Sequence, residues 1–232
     1  MFSDRRTIDG GPDRHPVEVA FTDSTLDLQG LRPGFPEALA RTVQACGVGF
    51  ARMNQLHGDA VAVVEAPLHD PAAHPPEVDA LVTSTPGTGL MVRVADCVPV
   101  LLADPASGAL GAVHSGRRGT ELDIVARTVE TMRAQGAGEI TAWIGPHVCG
   151  GCYEVPEQMR EEVSARVPGT WAETTWGTPA LDLGAGVRGQ LESAGVRVEM
   201  VGTCTVEDPT HHSHRRDGAG AGRFAGLIWS AP

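Results

Sequence analysis

Two histidines and one cysteine lie in three short segments and are residue types that bind zinc. The segments are Asn54-Gln55-Leu56-His57-Gly58, Ala95-Asp96-Cys97-Val98-Pro99 and Val113-His114-Ser115-Gly116-Arg117-Arg118-Gly119. Two imidazoles and one thiolate leave a fourth position for water, which is typical of a catalytic zinc site, because structural sites fill all four positions. His57, Cys97 and His114 are therefore the candidate ligands.

The spacing of Cys97 and His114 predicts that they meet. Residues 98–104 and 109–114 are apolar runs typical of strands, and the turn Pro105-Ala106-Ser107-Gly108 joins them into a hairpin. This register places Pro99 opposite His114, so Cys97 and His114 share a face as diagonal neighbours. His57 has to come from another part of the fold, and spacing alone does not place it. The same pair also suits a metal-free hydrolase, with Cys97 as nucleophile and His114 as base.

Short apolar runs predict the other strands, and helical periodicity appears between them. The predicted strands are residues 17–21, 48–53, 61–65, 89–94, 98–103, 109–113, 140–144 and 196–201. A helix is expected after Thr120 as N-cap and before Gly136, because its apolar residues recur at helical spacing. Two further helices are expected at residues 156–166 and 181–194.

Two arginine clusters are candidate anion sites. Arg117 and Arg118 lie between the strand that ends at His114 and the expected helix, whose N-terminal N–H groups attract anions. A tight glycine turn with solvated arginines explains the same residues equally well. The second cluster flanks a glycine-rich stretch and contains Arg215, Arg216 and Arg223.

Composition excludes several classes of protein. The 232 residues carry a net charge of −11, which argues against a nucleic-acid partner. The absence of lysine excludes a Schiff-base lysine and a P-loop. No apolar run is long enough for a membrane span and no signal peptide is visible, so we expect a cytoplasmic protein whose five cysteines are reduced. Residues 17–232 are expected to form one domain, after a mobile polar tail over residues 1–16.

Two further clusters have ligand-type residues. Cys149-Gly150-Gly151-Cys152 suits a redox pair or half of a structural zinc site, but we favour separate roles, with Cys152 near the substrate and Cys149 incidental. His211-His212-Ser213-His214 contains the only H-x-H of the chain. A multicopper centre needs many more histidines, so zinc is favoured over copper.

Five ordered motifs resemble the laccase-domain (YfiH-like) family of zinc-containing purine nucleoside phosphorylases. They are Gln55-Leu56-His57-Gly58, Ala95-Asp96-Cys97-Val98-Pro99, His114-Ser115-Gly116-Arg117-Arg118-Gly119, Gly145-Pro146 with Cys152-Tyr153-Glu154-Val155, and Arg215-Arg216-Asp217-Gly218 with Gly222-Arg223. The chain departs from the family at Arg117, Gly151 and His214, and it lacks the Gly-Gly-Val-Ser loop expected after the first strand.

The resemblance implies an α+β fold in which layered mixed β-sheets form a sandwich flanked by helices, distantly similar to toxin deamidases. It also implies zinc on His57, Cys97 and His114. The implied reactions are phosphorolysis of adenosine, inosine, guanosine and methylthioadenosine, and hydrolytic deamination of adenosine.

Our first hypothesis is this zinc-dependent nucleoside enzyme, with purine nucleosides and phosphate as its small-molecule partners. The candidate catalytic residues are Asp96, Cys97, Glu154 and Asp217, and the sequence does not choose a proton carrier among the three carboxylates. The candidate substrate or phosphate ligands are Arg117, Arg118, Cys152, Arg215, Arg216 and Arg223. The alternatives are the cysteine hydrolase and a binding protein that has lost activity.

Overall fold

Two mixed β-sheets pack face to face, and helices cover the outer face of each. The computed structural model describes residues 1–9 and 16–230. The five-stranded sheet has the order β1 (Phe2–Ile8), β2 (Val17–Thr22), β13 (Phe224–Ser230), β6 (Thr88–Val94) and β3 (Gly49–Ala51). The six-stranded sheet has the order β12 (Arg197–Met200), β9 (Thr141–Ile144), β7 (Val98–Asp104), β8 (Ala109–Ser115), β5 (Ala80–Thr83) and β4 (Val61–Val63). Two short strands, β10 (Trp171–Glu173) and β11 (Pro179–Leu181), form a separate ribbon.

Three apolar clusters form the core between these layers. Phe21, Leu101 and Trp143 belong to the cluster between the two sheets. Helix α1 (Phe35–Cys46) packs on the outer face of the five-stranded sheet. Helices α3 (Ile124–Ala134), α4 (Glu157–Arg166) and α5 (Leu183–Ser193) contribute to the cluster on the outer face of the six-stranded sheet. The remaining helices are short, α2 (Arg117–Glu121) and α6 (His214–Asp217).

The expected α+β sandwich of layered mixed sheets is therefore confirmed. Every residue of β7 and β8 is buried, because the other sheet covers one face of this hairpin and helices cover the other. Such strands have continuous apolar runs rather than alternating ones. Their register pairs Pro99 with His114 and Asp104 with Ala109, as the four-residue turn predicted.

The N-terminal segment corrects one expectation. Residues 2–8 form the edge strand β1, paired antiparallel with β2, rather than a mobile tail. An edge strand tolerates charged residues because one of its sides faces solvent, while Phe2 and Ile8 pack against the apolar clusters. The rest of that expectation includes residues 10–15, which lie outside the described residues.

The predicted start of the long helix is also wrong. The N-cap of α3 is Asp123, whose side chain accepts a hydrogen bond from Ala126 N. Thr120 lies within α2 instead, where its hydroxyl donates to Gly116 O at 3.0 Å. A threonine hydroxyl that donates to the carbonyl oxygen four residues earlier forms its hydrogen bond inside its own helix. Thr120 therefore does not cap the helix that follows. Arg117 and Arg118 therefore belong to α2 and do not lie in the turn directly before the long helix.

Over residues 1–9 and 16–230, no helix combines the length and the apolar character that crossing a membrane requires.

Candidate active site

The structure brings His57, Cys97 and His114 together. One ligand atom from each lies within 4.8 Å of the others, and Cys97 Sγ is 3.8 Å from His57 Nε2. Ligand bonds of about 2.3 Å to sulfur and about 2.0 Å to nitrogen place the two ligand atoms about 3.5 Å apart in a tetrahedral zinc site. The three side chains therefore have a spacing and donor types that are compatible with zinc.

Asp79 is the residue that fixes both histidines. Its Oδ1 accepts a hydrogen bond from His114 Nδ1 at 2.7 Å and from His57 N at 2.9 Å. Its Oδ2 accepts from Leu56 N and Gly58 N at 3.1 and 2.7 Å. The carboxylate thus folds the 56–58 turn, in which His57 has a φ of 61°, around itself. Since Nδ1 of His114 is occupied by Asp79, its Nε2 is the atom left for a metal.

Cys97 follows a residue with a left-handed backbone. Asp96 has a φ of 87°, a conformation that a short polar side chain tolerates when hydrogen bonds hold it. Its two carboxylate oxygens accept hydrogen bonds from Thr205 Oγ1 and from Arg215 N, each at 2.6 Å. Asp96 is therefore an acceptor that shapes the turn before Cys97, although it also lines the cavity described below.

The charges of Cys97 and His114 stabilise one another in the metal-free chain. Burial raises the pKa of the Cys97 thiol, but the charge of His114 and hydrogen bonds from both histidines outweigh burial and lower that pKa to about 6. Burial lowers the pKa of His114, whereas the Cys97 thiolate and Asp79 raise it to about 9. The thiolate is thus available near neutral pH, as both metal binding and nucleophilic attack require.

Gly116 leaves the space that the His57 ring occupies. A Cβ at this position would lie 2.7 Å from His57 Cδ2 and 3.3 Å from Cys97 Sγ. The space available beside His57 therefore explains the glycine in the His114-Ser115-Gly116 segment.

A cavity of about 800 Å³ opens beside the three candidate ligands. That volume is within the range of small-molecule sites, about 300–1,000 Å³. Tyr153 and Arg215 line it, and the Arg215 guanidinium lies 4.7 Å from the centre of the Tyr153 ring. Burial raises the pKa of Tyr153, as does the charge of Cys97, so its hydroxyl keeps its proton at neutral pH.

Three more arginines line the same cavity, Arg52, Arg93 and Arg223, and the positive charges of Arg52 and Arg223 act on Arg93. Burial, together with the smaller effects of the charges of Arg52 and Arg223, lowers the pKa of Arg93 to about 10. Arg52 is buried, and its two terminal guanidinium nitrogens donate to Pro71 O and Asp70 O, whereas its Nε has no hydrogen-bond partner among the described residues. A bound anion would relieve this repulsion, so these arginines form a candidate phosphate site.

Several predicted site residues lie elsewhere. Glu154 is exposed and accepts a hydrogen bond from Trp176 Nε1, and Arg117 pairs with Glu121. Arg118 is exposed on α2. None of these predicted residues is among those that line the cavity.

Arg216 and Asp217 also lie outside the cavity lining. Arg216 pairs with Asp217, and its guanidinium donates to the carbonyl oxygens of Thr205 and His211. Because Arg216 does not line the cavity and holds the loop through these hydrogen bonds, its role is structural. Cys152 is likewise absent from the cavity lining and contacts Glu207. Of the predicted phosphate and substrate ligands, Arg215 and Arg223 are the two that line it.

Two histidines of the 211–214 segment form hydrogen bonds with neighbouring residues. His211 contacts Ser3 Oγ through Nε2, and His212 donates from Nε2 to Leu26 O at 3.0 Å. Neither belongs to a group of potential metal ligands in the described part of the chain, although His214 lines the cavity.

Sequence reasoning missed Asp79, Tyr153, Arg52 and Arg93. Asp79 follows a hydrophobic valine as one acidic residue among many, and nothing local connects it with His114. Tyr153 belongs to the motif Cys152-Tyr153-Glu154-Val155, and its position beside Cys152 could have identified it as a site residue. The two arginines are isolated in sequence, so only the fold shows that they meet.

Comparisons with known proteins give a consistent result. Residues 36–231 match a family model described as multi-copper polyphenol oxidoreductase laccase. A purine nucleoside phosphorylase of Streptomyces griseus is 52% identical over 180 residues, covering 76% of this chain and 72% of the relative. A purine nucleoside phosphorylase of Streptomyces coelicolor is 45% identical over 243 residues, covering 99% of both chains. The crystal structure of the Bacillus licheniformis hypothetical protein YfiH is similar in fold, with a TM-score of 0.81, 23% identity and coverage of 97% and 98%.

Proposed function

We propose that this chain, which belongs to the family described as multi-copper polyphenol oxidoreductase laccase, is a zinc-dependent purine nucleoside phosphorylase. Its membership of that family confirms the resemblance found in its motifs. The relatives named purine nucleoside phosphorylase indicate the reaction class. The observation that carries the proposal is that one cavity adjoins both the candidate metal ligands and four arginines.

His57, Cys97 and His114 would hold the zinc ion. The donor set of two imidazoles and one thiolate fits zinc. Zinc in such a site supplies Lewis acidity to a substrate oxygen or to water. Asp79 orients His114 through Nδ1, and the 56–58 turn around Asp79 orients His57.

We place the phosphate at the group formed by Arg52, Arg93 and Arg223. Burial lowers the pKa of Arg93, the charges of Arg52 and Arg223 act in the same direction, and a phosphate dianion would compensate these charges. In phosphorolysis a phosphate oxygen bonds to C1′ of the sugar while the bond from C1′ to the purine nitrogen breaks. The chain's main contribution is to hold the two reactants in line.

The departing purine takes the electron pair of the broken bond and needs a proton. Tyr153 lines the cavity and retains its hydroxyl proton at neutral pH, so we assign it as the proton donor. Among the three carboxylates considered from sequence, Asp96 lines the cavity, but both of its oxygens already accept hydrogen bonds.

We also propose that the same cavity deaminates adenosine hydrolytically, a reaction in which water replaces the amino group and ammonia leaves. This reaction needs no phosphate. Thiol ligands require a reducing compartment, so the proposed enzyme acts in the cytoplasm.

The test uses zinc-loaded protein with inosine, guanosine, adenosine and methylthioadenosine, each with and without phosphate. We expect base and sugar 1-phosphate to form only with phosphate, whereas adenosine yields inosine in both conditions. If folded, zinc-loaded protein with phosphate consumes none of the four nucleosides, the proposed function is wrong.

Arg223→Met separates phosphate binding from nucleoside binding. A guanidinium–phosphate contact contributes about 1.5–3 kcal/mol, so the KM for phosphate should rise about 10- to 100-fold with little change for inosine. Arg188→Met is the matched control, because Arg188 lies on the exposed side of α5 and pairs with Glu192. Equal effects of Arg223→Met on both KM values would remove Arg223 from the phosphate site.

A metal-free cysteine hydrolase is the second candidate, favoured by the thiolate that His114 stabilises. Metal content separates the two candidates. Full activity after complete removal of zinc would favour the hydrolase.

A further inference from the structure

Three cysteines and a glutamate form a second group of potential metal ligands. Cys149, Cys152, Cys204 and Glu207 each place one ligand atom within 4.8 Å of the others. Cys152 is buried, Cys149 and Cys204 are half-buried, and Glu207 is exposed, so an ion could enter from the side of Glu207. This group shares no residue with His57, Cys97 and His114.

The contact between Cys152 and Glu207 suits a tetrahedral ion. Cys152 Sγ is 3.5 Å from Glu207 Oε1. Bonds of about 2.3 Å to sulfur and about 2.1 Å to oxygen place these atoms about 3.6 Å apart around a tetrahedral zinc ion. Three soft thiolates favour zinc over calcium or magnesium.

The backbone around the group holds the ligands in place. Cys149 and Cys152 belong to a turn in which Cys152 N donates to Cys149 O at 3.0 Å. Cys204 begins a second turn, closed by Asp208 N donating to Cys204 O at 2.9 Å. The two turns contact each other directly, because Cys149 N donates to Cys204 Sγ at 3.4 Å.

We propose that Cys149, Cys152, Cys204 and Glu207 bind a second, structural zinc ion that joins these two turns. All four positions come from the protein, which is typical of structural rather than catalytic zinc. The site does not depend on the proposed function. It differs from the sequence-based interpretation, in which Cys149 was incidental and Cys152 lay near the substrate.

The two turns that the ion would join both hold Asp96. Val148 N donates to Asp96 O at 3.0 Å, and Thr205 Oγ1 donates to Asp96 Oδ1 at 2.6 Å. Asp96 precedes Cys97 and has a left-handed backbone, so it needs such support. The second zinc would therefore stabilise the cavity wall that carries Cys97.

A cobalt titration tests the proposal in the Cys97→Ser background. This variant has no thiolate at the first metal site, so any thiolate-to-cobalt charge-transfer band must come from another cysteine. We expect one equivalent of Co²⁺ per chain with that band and with the visible bands of tetrahedral cobalt. The band should disappear in Cys97→Ser/Cys204→Ser and persist in Cys97→Ser/Cys46→Ser, the matched control, because Cys46 belongs to neither group.

Glu207→Gln in the same background keeps the test valid if the Cys204 variant does not fold. The exposed glutamate can change without disturbing the core, and loss of this ligand should weaken cobalt binding at least as much as loss of an outer-shell partner, about 10- to 100-fold. Zinc chelation should also lower the melting temperature of Cys97→Ser.

Three outcomes would overturn the proposal. One is the absence of a thiolate–cobalt band in folded Cys97→Ser, and another is a band unaffected by both Cys204→Ser and Glu207→Gln. The third is a Cys149–Cys152 disulfide, detected by mass spectrometry, in freshly purified protein. None of these outcomes bears on nucleoside turnover, which is measured separately.

Discussion

Replacing Asp79 with asparagine should weaken zinc binding more than any other change outside the three ligands. Oδ1 accepts from His114 Nδ1 and His57 N, and Oδ2 accepts from Leu56 N and Gly58 N. An asparagine must turn its NH₂ group towards one of these pairs of donors and so loses two hydrogen bonds. At about 1.5–3 kcal/mol for each bond to a charged group, the free energy of unfolding should fall by about 3–6 kcal/mol.

The zinc affinity of Asp79→Asn should fall about 10- to 100-fold, because the carboxylate that fixes the His114 ring is lost. The assay is competition with a chromophoric chelator at low temperature, where the variant remains folded, with urea unfolding of the metal-free protein alongside it. The pKa of Asp79 is lowered because hydrogen bonds from His114 and the 56–58 turn outweigh the effect of burial. Its contribution to stability is therefore present at neutral pH and is lost as the pH falls through the native pKa, and Asp79→Asn should lack this acid-induced loss.

Asp104→Asn is the matched control for Asp79→Asn. Asp104 is also a buried carboxylate and accepts hydrogen bonds from Ala106 N and Gly138 N. It is the last residue of β7, whereas Cys97 directly precedes the first residue of this strand. The replacement of Asp104 should destabilise the fold and leave the zinc affinity unchanged. If folded Asp79→Asn bound zinc as tightly as Asp104→Asn does, the argument that Asp79 orients the metal ligands would be refuted.

Four other changes test the account. Gly116→Ala should lower zinc affinity, measured by the same competition, because its Cβ would lie 2.7 Å from His57 Cδ2. In metal-free protein, alkylation of Cys97 should reach half its maximal rate near the pKa of about 6, whereas a midpoint above pH 8 would contradict the stabilised thiolate. Tyr153→Phe should lower kcat for phosphorolysis and leave the KM for phosphate unchanged, and an unchanged kcat would remove it as proton donor. Arg216→Gln should lower the melting temperature but leave the KM for phosphate unchanged, since its guanidinium holds the loop and does not line the cavity.

The central hairpin could be predicted from sequence because its information is local. A four-residue turn and side chains that alternate with period two suffice to place Cys97 near His114, and the observed register agrees. His57 could not be placed in this way, because the 56–58 turn is held by Asp79, more than twenty residues later in the chain. The family resemblance supplied what spacing could not.

The arginines that line the cavity could not be recognised from local sequence. Arg216 belongs to a conspicuous basic segment, yet its hydrogen bonds stay within the chain. Arg93 is a single basic residue in an apolar strand, and its meeting with Arg52 and Arg223 depends on how the sheet and its loops pack. Edge strand β1 was missed for a related reason, since a strand with one solvent-facing side needs few apolar residues.

A crystal structure of the zinc-loaded protein with inosine and sulfate, a phosphate analogue that does not react, tests the central claim most directly. Diffraction data at the zinc edge should show an anomalous peak within bonding distance of His57, Cys97 and His114. The same map should show inosine in the adjoining cavity and sulfate at Arg93 and Arg223. Inosine bound outside this cavity, or a cavity that holds inosine with no zinc at the three ligands, would contradict the account.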